Sequence, residues 1–123
     1  MTKARLALGK WGEEQAVEYL RKQGLKILAR NYRAPVGEID IIASNRKELL
    51  FVEVKTRRGT AFGLPQDAVG VRKQQQIIRT AQWYLQRAKI GNLQPRFDVV
   101  AILCKSDEIV EIQHLPNAFD LAD

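Results

Sequence analysis

The 123-residue chain has one cysteine, Cys104, and one histidine, His114. A lone thiol and a lone imidazole exclude an intramolecular disulfide framework and any Cys/His metal centre within one chain, which leaves carboxylates as the metal-ligating side chains. No apolar run approaches the roughly 20 residues needed to cross a bilayer. The first dozen residues also lack the apolar core of a signal peptide. A cytoplasmic protein with no membrane partner is the expectation. Internal repeats, low-complexity tracts and linkers are missing too, so residues 1–123 read as a single domain, and its length suffices to bury a core without disulfides or zinc.

What is present in excess is positive charge. Lysines and arginines number 20 against 14 aspartates and glutamates, a net charge of +6. Residues 107–123 carry five acids and no base, so the first 106 residues carry +11. A body this basic favours a polyanionic partner, the alternative being a soluble protein with a charged surface.

Apolar periodicity predicts a helix over residues 4–23, stopped by Gly24. Leu6, Glu13, Ala16, Val17 and Leu20 share its apolar stripe, with Gly9 and Gly12 along the edge. Glu13 therefore faces the core, where a carboxylate needs a metal, a cationic partner such as Arg30, or a raised pKa. Strands are expected over 25–33, 37–43 and 49–56 as an antiparallel meander, then a loop over 57–68 and a helix over 69–89. The second helix places Ile77, Ile78, Ala81, Tyr84, Leu85 and Ala88 inward and Arg72, Gln76, Arg79, Trp83 and Arg87 outward. Strands over 96–105 and 108–114, joined by Ser106 and Asp107, complete the order α-β-β-β-α-β-β.

Residues two apart on a strand share a face. In 37–43 this puts Ile39 and Ile41 on one face and Glu38 and Asp40 on the other; in 49–56 it puts Glu53 beside Lys55. A hairpin centred near residues 45–47 brings Asp40 alongside Glu53, and two adjacent carboxylates repel unless a cation lies between them. Oxygen ligands without histidine or cysteine suit Mg²⁺ or Mn²⁺, with Glu13 as a third carboxylate and Lys55 as the ammonium that offsets negative charge on a phosphoryl group. Spacing alone also fits a structural ion-pair cluster. Glu38 reads as a solvated neighbour or a partner for Arg33. Arg57, Arg58, Lys73 and Gln74 are candidate phosphate contacts, and Trp83 fits either a stacked base or a dimer contact. Neither Cys104 nor His114 is expected to have a role.

Several segments carry a resemblance: Gly9-x-x-Gly12-Glu13-x-x-Ala16, Arg30-Asn31-Tyr32-Arg33, Gly37-Glu38-Ile39-Asp40-Ile41-Ile42, Phe51-Val52-Glu53-Val54-Lys55-Thr56-Arg57, Phe62-Gly63, Lys73-Gln74 and Arg96-Phe97-Asp98-Val99-Val100. Together, over about residues 5–102, they resemble the YraN-type family of bacterial proteins. That family is in turn similar to Holliday-junction resolvases of the PD-(D/E)XK, or restriction-endonuclease-like, nuclease superfamily. The resemblance implies an α/β fold with a mixed sheet flanked by helices. It maps the superfamily's catalytic acids and lysine onto Asp40, Glu53 and Lys55, and a resolvase-type helix acid onto Glu13. The superfamily's Pro-Asp is Ile39-Asp40 here. By this reading the protein is a Mg²⁺- or Mn²⁺-dependent DNA endonuclease acting on branched DNA, and a homodimer would supply the two sites a matched pair of cuts needs. The alternatives are a nucleic-acid-binding module without catalysis, which has no reason to keep the full acid and lysine set, and a scaffold that recruits a partner through Trp83 and the acidic tail.

Overall fold

The structure, a computed structural model, describes residues 3–58, 69–106 and 108–120, with only the backbone of residues 3–6 and of Val110. The side chain of Leu6, most of the 57–68 loop with its Phe62-Gly63 pair, and Asp107 lie outside the described residues.

Helix α1 (Lys3–Lys22) leads into β1 (Lys26–Ala34), β2 (Gly37–Ser44) and β3 (Glu48–Arg58); α2 (Val71–Arg87) then precedes β4 (Gln94–Lys105) and β5 (Glu108–Phe119). The order is the one the periodicity predicts. The five strands form one mixed sheet in chain order, antiparallel except for the parallel pair β3–β4. A parallel pair needs a crossover, and α2 lies within it.

At the end of α1, Gly24 has φ +87°. The N–H of Leu25 reaches Leu20 O at 3.1 Å and that of Gly24 reaches Arg21 O at 2.9 Å, so a left-handed glycine closes the helix and turns the chain into β1.

Each sheet face buries one apolar layer. Under α1, Ala16, Val17 and Leu20 meet Ile41, Ala43, Leu50, Val52, Val100 and Ile102. Under α2, Ile77, Ile78 and Ala81 meet Ile39, Ile42, Leu49, Phe51, Phe97 and Val99. Phe51, Phe97 and Phe119 stack in a row with centroids 5.5 and 5.0 Å apart. Central strands buried on both faces explain why 96–105 reads as a continuous apolar run rather than an alternating one.

Three expectations are corrected. β3 extends to Arg58, so Arg57 and Arg58 pair with Leu103 and Cys104 instead of opening a loop. Gln76, expected outward, abuts the start of β2 at Gly37. β5 continues past Pro116 to Phe119 because a register shift between the Phe97 and Val99 pairings accommodates the proline, with Asn117 at φ +54°.

Helix α1 approaches β3 most closely at Gly12, where a Cβ would overlap the Thr56 side chain, while Gly9 one turn earlier has nothing within 4 Å. Alanine is intrinsically better than glycine in a helix by about 1 kcal/mol, whereas overpacking costs about 1–3 kcal/mol. Gly9→Ala is therefore expected to raise the urea midpoint and Gly12→Ala to lower it. Shifts of the same sign in both variants would rule out this packing account.

Candidate active site

The β2–β3 hairpin is set by Asn45, whose side-chain oxygen accepts the N–H of Lys47 at 2.9 Å and of Glu48 at 2.7 Å. That turn fixes the register as Ser44–Leu49, Ala43–Leu50, Ile42–Phe51 and Ile41–Val52. One further step brings Asp40 against Glu53, as the hairpin expectation has it. There the backbone ladder stops. The N–H of Val54 donates to Asp40 Oδ2 at 2.8 Å, so a carboxylate replaces a main-chain carbonyl as its acceptor. The pleat breaks at the same place: Ile41 packs under α1, but Ile39 and Ile42 both pack under α2. The expectation that Ile39 and Ile41 share a face is thus corrected, because alternation cannot run through a residue whose side chain has entered the ladder.

Glu53 is only 5% exposed. Its carboxyl lies within hydrogen-bonding reach of Asp40, and its pKa is pushed up to about 8, by burial first and then by the Asp40 hydrogen bond and charge, with Lys73 and Lys55 pulling the other way. Burial and the Asp40 charge therefore favour the protonated form of Glu53 near neutral pH. Lys73 Nζ stands 3.7 Å from Glu53 Oε2, an ion-pair distance beyond hydrogen-bond reach. Lys55, two residues beyond Glu53 on β3, is half-buried.

Glu13 also has a raised pKa, through burial and then the Asp40 charge, with Arg30 opposing. Arg30 itself pairs with Glu14, at 2.7 Å, so the cationic partner considered for Glu13 belongs to its neighbour. Glu38 meets Arg33 at 3.5 Å. Arg57 and Arg58 are exposed at the end of β3. Gln74 turns its amide nitrogen to Val69 O at 2.9 Å, a tie at the start of α2. Trp83 is half-buried, with the Arg87 guanidinium 3.4 Å from its ring centroid.

Two buried oxygens in this region, Glu13 Oε1 and Glu53 Oε2, have no hydrogen-bond partner. A buried carboxylate oxygen without a donor is costly unless a proton or a cation reaches it. Among the described residues no three Asp, Glu, His or Cys side chains converge into a ready-made cation cage. The donor set still fits Mg²⁺ or Mn²⁺, which need one or two carboxylates and otherwise water and substrate oxygens. Asp40 and Glu53 would be those ligands, with Glu13 behind Asp40.

Sequence reading missed a polar network centred on β4 and β5. Asp98, fully buried on β4, accepts from Arg96 Nε at 2.8 Å and Arg96 Nη2 at 2.7 Å, from the N–H of Asn117 at 3.1 Å, and from His114 Nε2 at 2.7 Å. Tyr19 Oη lies 2.9 Å from His114 Nδ1, and Arg96 Nη1 reaches Glu48 at 2.9 Å. Burial alone would raise the Asp98 carboxyl, but its hydrogen bonds to His114, Arg96 and Asn117 hold it below the usual range. His114, expected to have no role, links α1, β4 and β5. Two signals were available: Arg96 and Asp98 share a strand face, and a histidine stands on the neighbouring strand.

Fold and site together define a small α/β protein that holds a buried glutamate against a half-buried aspartate on a mixed sheet, near two lysines. Residues 12–102 match the uncharacterised protein family UPF0102, and the chain belongs to that family. Relatives named UPF0102 protein include one from Syntrophotalea carbinolica, 58% identical over 98% of both chains. One from Trichlorobacter lovleyi is 48% identical over 98% of this chain and 95% of its own, and one from Caldicellulosiruptor saccharolyticus is 46% identical over 91% and 96%.

Proposed function

We propose that this protein is a Mg²⁺- or Mn²⁺-dependent endonuclease that hydrolyses phosphodiester bonds in DNA, branched DNA in particular. The observation that carries the reading is the Asp40–Glu53 pair. Glu53 lies buried against Asp40 with its pKa raised, Lys55 and Lys73 stand near it, and its Oε2 has no hydrogen bond, all in a domain of net positive charge.

Each side chain then has a task its surroundings support. Asp40 is held in orientation by the Val54 N–H. Glu53 would hold the ion as a carboxylate, and since its pKa is raised, affinity for the ion would rise with pH. A divalent ion bound there supplies Lewis-acid polarisation of the phosphoryl group and activation of water. Lys55 offsets the charge that builds on the phosphoryl oxygens. Arg57 and Arg58, exposed at the end of the same strand, contact backbone phosphates and make binding salt-dependent. Two copies of the chain provide the paired sites for symmetric cuts.

The test is a cleavage panel of four-way junction, flap, single-stranded and linear duplex DNA in Mg²⁺, Mn²⁺ or EDTA, with Asp40→Asn protein in parallel. Cutting that requires metal, favours the junction and disappears in Asp40→Asn while DNA binding persists is the expected result. Binding without cutting in either metal would sink the nuclease reading in favour of a binding module.

A further inference from the structure

Lys73 enters the sequence reading as a phosphate contact at the start of α2, and the structure sets its ammonium beside an acid. It precedes Ile77, Ala81 and Tyr84 at helical spacing, and those three pack onto the sheet. The same stripe therefore turns Lys73 inward. Its side chain is 35% exposed and its ammonium stands 3.7 Å from Glu53 Oε2. Of the two lysines, Lys73 acts more strongly on Glu53 than Lys55 does. The separation is short enough for charge attraction and too long for a hydrogen bond, so the carboxylate oxygen stays open.

We propose that Lys73 is the resident counter-cation of the Asp40–Glu53 pair: it holds the acids in register before a divalent ion arrives and is displaced by that ion. This rests on the metal-dependent reading above. Before the ion binds, the pair is negative and attracts the ammonium. Once the ion is bound, its two positive charges cancel those of the acids, the attraction is gone, and repulsion between ammonium and ion remains. Lysine suits this exchange because its charge sits at the end of a flexible stem that can withdraw without moving the helix. The ammonium is then released beside the substrate phosphate. Lys73 is a positioning residue in this scheme, acting through Glu53 and the ion.

The sign of one measurement separates this role from a structural one. Removing a lysine that merely braces the site loosens the ligands and weakens metal binding or leaves it unchanged. Removing a lysine that competes with the ion strengthens it. Mn²⁺ binding would be followed by titration calorimetry, without DNA, for wild type, Lys73→Met, Lys73→Gln and Lys73→Arg at one pH and ionic strength, each variant first checked by thermal melting. Lys73→Met is expected to bind Mn²⁺ roughly threefold to tenfold more tightly than wild type, and Lys73→Arg to stay near wild type because it keeps the charge. Lys73→Gln removes the charge with a polar side chain and takes the place of Lys73→Met if that variant fails to fold. Wild-type affinity, or weaker, in the neutral variants overturns the inference and leaves the metal reading standing. Absence of Mn²⁺ binding in wild type and variants alike removes both.

Discussion

Glu53→Gln is expected to reduce metal-dependent DNA cleavage by about a thousandfold or more while making the metal-free protein more stable in mild alkali. Both effects have one origin. An amide cannot ligate a divalent ion as a carboxylate does, so the proposed reaction would lose its metal. The same amide stays neutral at every pH and can donate to Asp40, where the wild-type carboxyl must hold a proton to avoid repelling it. With the Glu53 pKa at about 8 in the folded protein against an ordinary 4.5, the folded chain keeps a proton that the unfolded chain has released. The stability contributed by this group is complete below about pH 4.5 and is lost as pH rises through about 8, a change on the order of a few kcal/mol. Melting curves in EDTA from pH 5 to 9 should therefore fall for wild type and be nearly flat for Glu53→Gln. Parallel profiles would show that the Glu53 pKa is not raised.

Asp98→Ala is expected to cost about 3–5 kcal/mol, a large share of the roughly 5–15 kcal/mol that holds a domain of this kind together. The carboxylate accepts four hydrogen bonds from three residues on two strands. Without it the half-buried Arg96 retains only Glu48, and the Asn117 N–H at the β5 irregularity loses its acceptor. Because the Asp98 pKa is depressed, the sign is opposite to that for Glu53. Its contribution is present above the ordinary aspartate range and is lost as pH falls through the folded value. Urea denaturation at pH 7 and pH 3 checks both parts: the variant should be far weaker than wild type at neutral pH, with a narrower gap in acid. A loss below about 1 kcal/mol would place Asp98 among ordinary surface pairs.

Much of this architecture could be read from residue order alone. Helical and strand periods are local properties, and α1, the three-strand meander and α2 all follow from them. So does the meeting of Asp40 and Glu53, which needs only a turn near residues 45–47 and a two-residue repeat. The failures have a common physical character. The alternation through Ile39, Asp40 and Ile41 breaks because the Asp40 carboxylate substitutes for a backbone acceptor, which no period anticipates. His114 was missed because an unbroken hairpin through Ser106 and Asp107 would turn it away from Asp98. The register shift between Leu103 and Cys104 moves the pairing by one, sets His114 opposite Val100 and points the ring at the buried carboxylate. Lys73 sits on an apolar stripe, where a lysine is more readily taken for a phosphate contact than for the partner of a buried acid.

The parallel ladder from Glu48–Gln94 to Arg58–Cys104 also bears on how the chain acquires its shape. The β2–β3 hairpin joins near neighbours and can form quickly, whereas β3 meets β4 only after all the intervening chain has been drawn into a closed loop, the slower kind of contact. The acids are therefore expected to meet early in folding and to stay uncovered on one edge until β4 pairs with β3. Deleting residues from β4 onward should leave a fragment with a nascent hairpin and no enclosed site. On this ordering the acid pair is enclosed last, by a strand that contributes no candidate ligand.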